Sequence, residues 1–468
     1  MRKQVFLKKA VAFCLAACTL VLILLSFASC DCVEIDDSKF TLVPQTLTKE
    51  ELEKNVRENR KERESVTYHL YEWGFPEFNV NRVQSVEALV EKNYYEQMPS
   101  KLLHATLCAE SFLEYFYDNI DLRDTTAVTY AILHCYLGTL GDPYAVYREP
   151  ALQEDFREQL SGGTSFVGIG VQIRNTEEEL PYICAVYEGS GAEAAGIRFG
   201  DILLCAGGVS AKEQGYRKTV DALKGEAGTY VDVVVSRGGE EIALTVERKQ
   251  LVEVSVYSRY DEQTGYGYVR IMSFQYSTGQ EFKKAIDALE EKGAVGYIFD
   301  VRDNLGGVIN SVIEVVSYLV EDDLPCVTSY NKNGVLKEYR TLADNHSVNV
   351  PMVVITNSYT ASAAEIFAAA LRDYSRSEAL PTAIKDVTIV GERTYGKGIM
   401  QSSYGLSDKS SVTFTSAYYD PPSGVNYHGI GVAPDEGYEV LPKFTVNGDA
   451  QLDRAYAAMD EYFTANAA

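Results

Sequence analysis

Apolar and polar positions change their rhythm several times along this chain, and each change marks a different kind of element. Residues 10–30 carry no charge and follow a basic start at Arg2, Lys3, Lys8 and Lys9. A basic opening before an apolar run is the pattern of an export signal; the run is also long enough to span a bilayer uncleaved. Residues 31–65 begin acidic and end in KEELEKNVRENRKERES, which predicts a solvated spacer or one exposed helix. Over 66–155 apolar residues recur at helical spacing, as in LLHATLCAESFLEYFYDNI and AVTYAILHCYLGTL, and predict a small helical domain. It ends on the turn signal Gly141-Asp142-Pro143.

Residues 160–250 bring a glycine-loosened loop, Phe166–Val171, that runs into a strand, with a further strand at Val231–Val235. From 251 to 445 the pattern turns α/β. Tyr266–Ile271 predicts a strand, Phe282–Leu289 a helix, Val295–Val301 a fully buried strand and Val308–Leu319 another helix. Two exposed strands flank the hairpin signal Asn331-Lys332-Asn333-Gly334. Residues 446–468 close the chain with a helix at Asp449–Phe463, suited to capping the core or to a homodimer contact.

At 468 residues there is room for two or three domains. The formal charge of −24 repels nucleic acid and anionic membrane surface, so both are excluded as substrates. Cys14 and Cys18 fall in the signal, while Cys30 closes Phe27-Ala28-Ser29-Cys30, which resembles a bacterial lipobox. Cys30 is therefore the candidate for lipidation, which predicts an exported protein tethered to a membrane of the bacterial cell envelope. Cys32, Cys108, Cys135, Cys184, Cys205 and Cys326 lie mostly inside apolar patterns and read as buried thiols. No spacing of cysteines or histidines suggests a metal site.

Candidate chemistry concentrates in residues 351–401. A short β-branched run, Val353–Thr356, gives way to a turn and an alanine-rich helix pattern from about Ala363 to Leu371, with Ser362 at the junction. A hydroxyl there lies beside free backbone N–H groups and the positive end of a helix dipole. Any serine also makes a good N-cap at such a place, so position alone favours capping. Gly396-Lys397-Gly398, after a buried strand at Val387–Val390 and before Gln401, changes the balance. Flanking glycines let a lysine approach another backbone closely, and a desolvated, neutral lysine can act as a general base. Upstream, Val295–Val301 runs into Asp303-Asn304-Leu305-Gly306-Gly307, and a strand, glycine turn and helix make an anion pocket.

Three blocks, TASAAEIFAAAL, GERTYGKGIMQ and DVRDNLGG, resemble in matching order the signature segments of the C-terminal processing peptidases, or tail-specific proteases. Phe166-Val167-Gly168-Ile169-Gly170-Val171, the segment Ser190–Asp201 and the turn Leu223–Thr229 resemble the PDZ domain of that family. The resemblance implies a multidomain α+β protein with a signal over 1–30, a spacer over 31–65, a helical domain over 66–155, a PDZ domain over 160–250, a ClpP/crotonase-like α/β peptidase core over 251–445 and a terminal helix. It implies a serine endopeptidase with Ser362 as nucleophile, Lys397 as base and Gln401 orienting the lysine. Ala363 and Gly306 or Gly307 would form the oxyanion hole, and Phe166, Gly168, Ile169 and Gly170 would bind the C-termini of polypeptide substrates, without cofactor or metal.

Several positions depart from the family pattern. Gly191 and Leu305 replace prolines, Ala364 a second serine, and Lys224 an arginine thought to sense bound substrate; lysine lacks the bidentate fork. Residues 375–386 form an insert expected to loop out. His428 and Asp435 raise a competing Ser/His/Asp arrangement with Ser362, and Ser329–Lys332 matches S-x-x-K without the helix that motif needs. A PDZ scaffold with a decayed core and a crotonase-like acyl-CoA enzyme are the alternative functions.

Overall fold

A computed structural model of the chain describes residues 47–162, 165–175, 180–343, 346–378, 384, 386–445 and 448–466, with the backbone of Ala28–Ser29. The expected signal pattern and Cys30 lie outside the described residues, as do positions 379–383 and 385 of the expected insert. The protein is a mixed α+β molecule built of two compact units.

The first unit takes the chain up to Arg157 together with Thr328–Lys337 and Ile399–Tyr419. Its helices Lys49–Glu58, Val66–Glu72, Val80–Asn93, Lys101–Tyr115 and Thr125–Gly138 carry N-caps at Thr48, Ser65, Asn79, Ser100 and Asp124. Each cap side chain accepts from a first-turn N–H that has no partner inside the helix. Trp73, Phe112 and Tyr136 anchor the core, and Leu52 and Val56 join it. Of the two expectations for residues 31–65, a solvated spacer or one exposed helix, the described part is a helix at Lys49–Glu58, and its two apolar positions, four apart, give it one buried face. Strands Ile399–Gly405 and Ser411–Asp420 pair antiparallel and add Leu406, Val412 and Phe414 to the same core.

The second unit comprises Glu158–Val327, Glu338–Gly398 and Asp420–Ala468. One part is an antiparallel sheet whose strands run in spatial order Val171–Asn175, Pro181–Val186, Ile202–Ala206, Tyr230–Arg237 and Glu240–Glu247. Val171–Asn175 is an edge of that sheet, and the helix Tyr216–Asp221 places the Tyr216 hydroxyl on the Ile173 carbonyl at 3.2 Å. A separate two-stranded ribbon joins Ser165–Gly168 to Lys249–Val252.

The other part is a five-stranded sheet in the order Val256–Tyr260, Tyr266–Ile271, Gly296–Asp300, Met352–Thr356 and Val387–Gly391. The first pair is antiparallel and the rest are parallel. Tyr266–Ile271, Gly296–Asp300 and Met352–Thr356 are buried at every position, as continuous apolar runs covered on both faces should be. Helix Ala450–Ala465 covers one face with Ala455, Ala458 and Met459 against Ile298, Val353 and Ile355. Phe274, Phe282, Phe299 and Phe367 pack among themselves elsewhere in the core.

A buried ion network ties the sheet together. Asp300 receives Arg270 at 2.8 Å and Arg302 at 2.6 Å, and Arg302 continues to Asp449, the N-cap of the last helix, at 2.8 Å. Burial alone would raise the Asp300 carboxyl, but the two guanidiniums hold it well below the usual carboxylate range. Arg270 also donates to the Cys184 carbonyl at 2.7 Å, joining the antiparallel sheet to the parallel one.

Candidate active site

In a parallel sheet the loops that leave the carboxyl ends of neighbouring strands meet at one edge, which is where such folds place their sites. Gly296–Asp300 and Met352–Thr356 are neighbours, with Asp300 opposite Ile355. The first strand delivers the turn Asp303–Gly307 and the second delivers Asn357–Ser362. The turns are fastened to each other: Asn357 Oδ1 accepts from the Asp303 N–H at 2.9 Å, and the Asn304 carbonyl accepts from the Ala361 N–H at 2.9 Å.

Ser362 is the last residue before the helix Ala363–Arg376 and has φ 56° and ψ −118°. A side-chain-bearing residue rarely adopts this conformation, which costs about 1–3 kcal/mol. Only four described non-glycine residues have positive φ, and two of them, Asp303 and Ser362, are in these adjacent turns. The surroundings hold the strain in place. The Ser362 N–H donates to Glu365 Oε2 at 2.9 Å, and Gly306 lies so close that a Cβ there would stand 2.8 Å from Ser362 Cβ and 2.9 Å from the Ala363 nitrogen.

The two expected oxyanion glycines have different duties. The Gly306 N–H is taken by Asn304 Oδ1 at 2.8 Å. The Gly307 and Ala363 N–H groups have no hydrogen-bond acceptor among the described residues. The pair with free donors is thus Gly307 and Ala363, with Gly306 as the close-approach residue. Gly307 has its own steric requirement, since a Cβ would lie 2.0 Å from the Phe274 carbonyl oxygen.

Lys397 is buried, 4% exposed. Its backbone is fixed by Glu365, a fully buried residue one turn into the helix that follows Ser362. Glu365 Oε2 accepts from the Lys397 N–H at 2.7 Å as well as from Ser362, while Oε1 accepts from Gly396 at 2.7 Å and from the Thr394 hydroxyl. Burial raises the Glu365 carboxyl above its ordinary range, and the Thr394, Lys397, Gly396 and Ser362 donors oppose that rise. Gly396 has φ 90°, and a Cβ on it would meet the Ile430 and Gly431 nitrogens at 2.9 Å. One carboxylate therefore joins the backbones of the two expected catalytic residues, and Thr394 joins the set by also accepting from the Val432 N–H. The sequence reading passed over Glu365, although Ser362-x-x-Glu365 has the spacing of a capping box.

Gln401 falls in the first unit, fully buried on strand Ile399–Gly405, with Nε2 on Thr415 Oγ1 at 3.2 Å. Of the expected peptide-binding residues, Phe166 and Gly168 lie in the two-stranded ribbon, and Phe166 packs edge-on against Tyr187. Ile169 is buried with its carbonyl accepting from Ala192 at 2.8 Å, and Gly170 has φ 84° where a Cβ would strike Ser190. Lys224 projects to solvent and pairs with Asp221 at 2.7 Å. The Asp435 carboxylate serves Arg376 and the Ile389 N–H, and His428 is exposed. Ser329 sits on strand Pro325–Asn331, so its S-x-x-K match is not helical.

Residues 265–438 match the profile described as Peptidase family S41. The Carboxyl-terminal-processing protease of Picosynechococcus sp. is 30% identical over 329 residues, covering 69% of this chain and 76% of that protein. The chain belongs to peptidase family S41. Another relative, the Carboxy-terminal processing protease CtpA of Bacillus subtilis, is 33% identical over 323 residues, 69% of this chain and 66% of that protein's length. A solved structure, the photosystem II D1 C-terminal processing protease, is 26% identical with a TM-score of 0.49, covering 75% of this chain and 90% of that one. The carboxyl-terminal processing proteases of the S41 family are serine peptidases.

Proposed function

We propose that this S41 peptidase is an exported, membrane-tethered endopeptidase that takes polypeptides by their C-terminal tails and cuts them with a Ser362/Lys397 dyad. The observation that carries the reading is the Glu365 carboxylate, which binds the Ser362 and Lys397 backbones at 2.9 and 2.7 Å. A neutral Lys397 accepts the Ser362 proton as Oγ attacks the scissile carbonyl. The oxyanion forms against the free N–H groups of Gly307 and Ala363, at the start of a 14-residue helix whose dipole favours negative charge there. Water then releases the acyl group.

In this proposal residues 160–250 are a PDZ domain, the core is ClpP/crotonase-like, and the Phe166–Gly170 loop receives the substrate carboxylate. The edge strand Val171–Asn175 pairs with the incoming tail. The tether is a lipid on Cys30. Among the described residues no helix is long and apolar enough to cross a membrane.

The test follows cleavage of an unfolded protein ending in apolar residues, beside the same protein with an amidated C-terminus. Ser362→Ala and Lys397→Ala must each abolish cutting, and amidation must slow it. Mutants that cut like the parent overturn the dyad; indifference to amidation overturns tail recognition.

A further inference from the structure

Arg174 stands on the edge strand Val171–Asn175, the segment assigned to tail binding above, and its guanidinium reaches the turns that follow two strands of the parallel sheet. Its Nη2 lies 3.1 Å from Asp303 Oδ1, and its central carbon sits 3.5 Å from the centre of the Tyr359 ring and 4.6 Å from that of Tyr182. The Arg174 side chain is 18% exposed and that of Asp303 is 2% exposed. Asp303 opens the turn that carries Gly306 and Gly307, and Tyr359 belongs to the turn that carries Ser362 and Ala363. One side chain therefore touches both loops that supply the oxyanion N–H groups.

Asp303 has reason to need it. Its φ is 59°, and neither carboxylate oxygen receives a hydrogen bond among the described residues, so Arg174 supplies the contacting counter-charge. Taking the guanidinium away leaves a buried carboxylate on a strained turn, a costly state that the turn would move to relieve. The path to the site is short. The Asp303 N–H is held by Asn357, and the next residue, Asn304, holds both the Gly306 N–H and the Ala361 N–H.

We propose that Arg174 is a positioning residue through which the tail-binding segment holds the oxyanion turns in register for attack by Ser362. It acts through Asp303 and Tyr359 without touching substrate. Lys224, which projects to solvent on Asp221, makes no such contact. This inference rests on the proposed protease reading.

The test measures two rates on the full chain: cleavage of a tail-bearing protein, and labelling of Ser362 by a small fluorophosphonate that carries no tail and needs the oxyanion hole. Arg174→Ala lowers both kcat and labelling by roughly tenfold or more, and Arg174→Lys, which keeps the charge but loses the planar stacking, falls between. Adding Asp303→Asn to Arg174→Ala removes the orphaned charge and restores much of the labelling. Circular dichroism melting identifies any variant that does not fold, and the lysine variant then carries the comparison. Labelling of Arg174→Ala at the parent rate, or no recovery on adding Asp303→Asn, overturns the inference. A parent protein that neither cuts nor labels instead overturns the protease reading.

Discussion

The carboxylate of Glu365 receives the backbone N–H of Lys397 at 2.7 Å across 32 residues of sequence. Because the same oxygen receives Ser362, and the other oxygen receives Gly396 and Thr394, all the acceptor capacity on this buried group is directed at the segments that carry Ser362 and Lys397. An amide in its place would turn one accepting edge into a donor facing other donors. Leaving such groups unsatisfied costs about 1–3 kcal/mol, which in a transition state amounts to one to two powers of ten in rate. Glu365→Gln should therefore lower kcat by roughly 10- to 100-fold with KM little changed, measured in steady-state cleavage of a fluorogenic peptide.

Backbone strain at Ser362 makes a separate prediction. At φ 56° and ψ −118° glycine is at ease and alanine is not. Ser362→Ala and Ser362→Gly should both be inactive, yet the glycine variant should be more stable by about 1 kcal/mol, a difference read from the midpoints of urea unfolding. Equal midpoints would mean that this conformation carries no strain.

Much of this arrangement was legible before any coordinates. Val353–Thr356 and Val295–Val301 read as buried strands because both faces of a parallel sheet are covered, and the structure gives Met352–Thr356 and Gly296–Asp300. The Gly-Gly turn and the serine at a helix start were visible because a close backbone approach demands glycine and a strand-to-helix junction demands a cap. Glu365, Arg174 and Asp303 were not singled out. A buried charge has no periodicity of its own, and its meaning depends on a partner that only folding brings near, 129 residues away in the case of Arg174 and Asp303. For residues 31–65 the helix alternative describes Lys49–Glu58, but mixed charge hides the two apolar positions, Leu52 and Val56, that give that helix a buried face.

Gly437 and Gly306 both need the backbone freedom of glycine, but only Gly306 also needs its space. Gly437 has φ 84° with nothing within 4 Å of a built Cβ, whereas Gly306 has φ 104° and a Cβ there would press on Ser362 Cβ at 2.8 Å. Gly437→Ala should cost about 1 kcal/mol of stability and leave turnover unchanged. Gly306→Ala should cut kcat by about 100-fold or more, since it displaces Ser362, the proposed nucleophile, and the Ala363 donor together. Thermal melting beside initial-rate kinetics for both variants checks the contrast, and equal loss of activity in the two would count against the oxyanion assignment.

Asp303 predicts a pH dependence of stability. Burial raises its carboxyl above the ordinary range, while Arg174, Arg270 and Arg302 oppose the rise without cancelling it. A carboxyl whose folded pKa exceeds its unfolded pKa binds its proton more tightly in the folded state. Its contribution is then fully present below the unfolded value of about 4 and is lost as pH rises through the folded value. Asp303→Asn abolishes that titration. Compared with the variant, the parent protein should therefore lose stability as pH climbs above about 4 and through the folded value, with the difference constant beyond it. Urea midpoints measured for both proteins at half-unit steps from pH 4 to 8 follow the difference. A parent-minus-variant stability difference that stays flat, or that shifts in the parent's favour as pH rises, would show that Asp303 is ionised in the fold at no net cost.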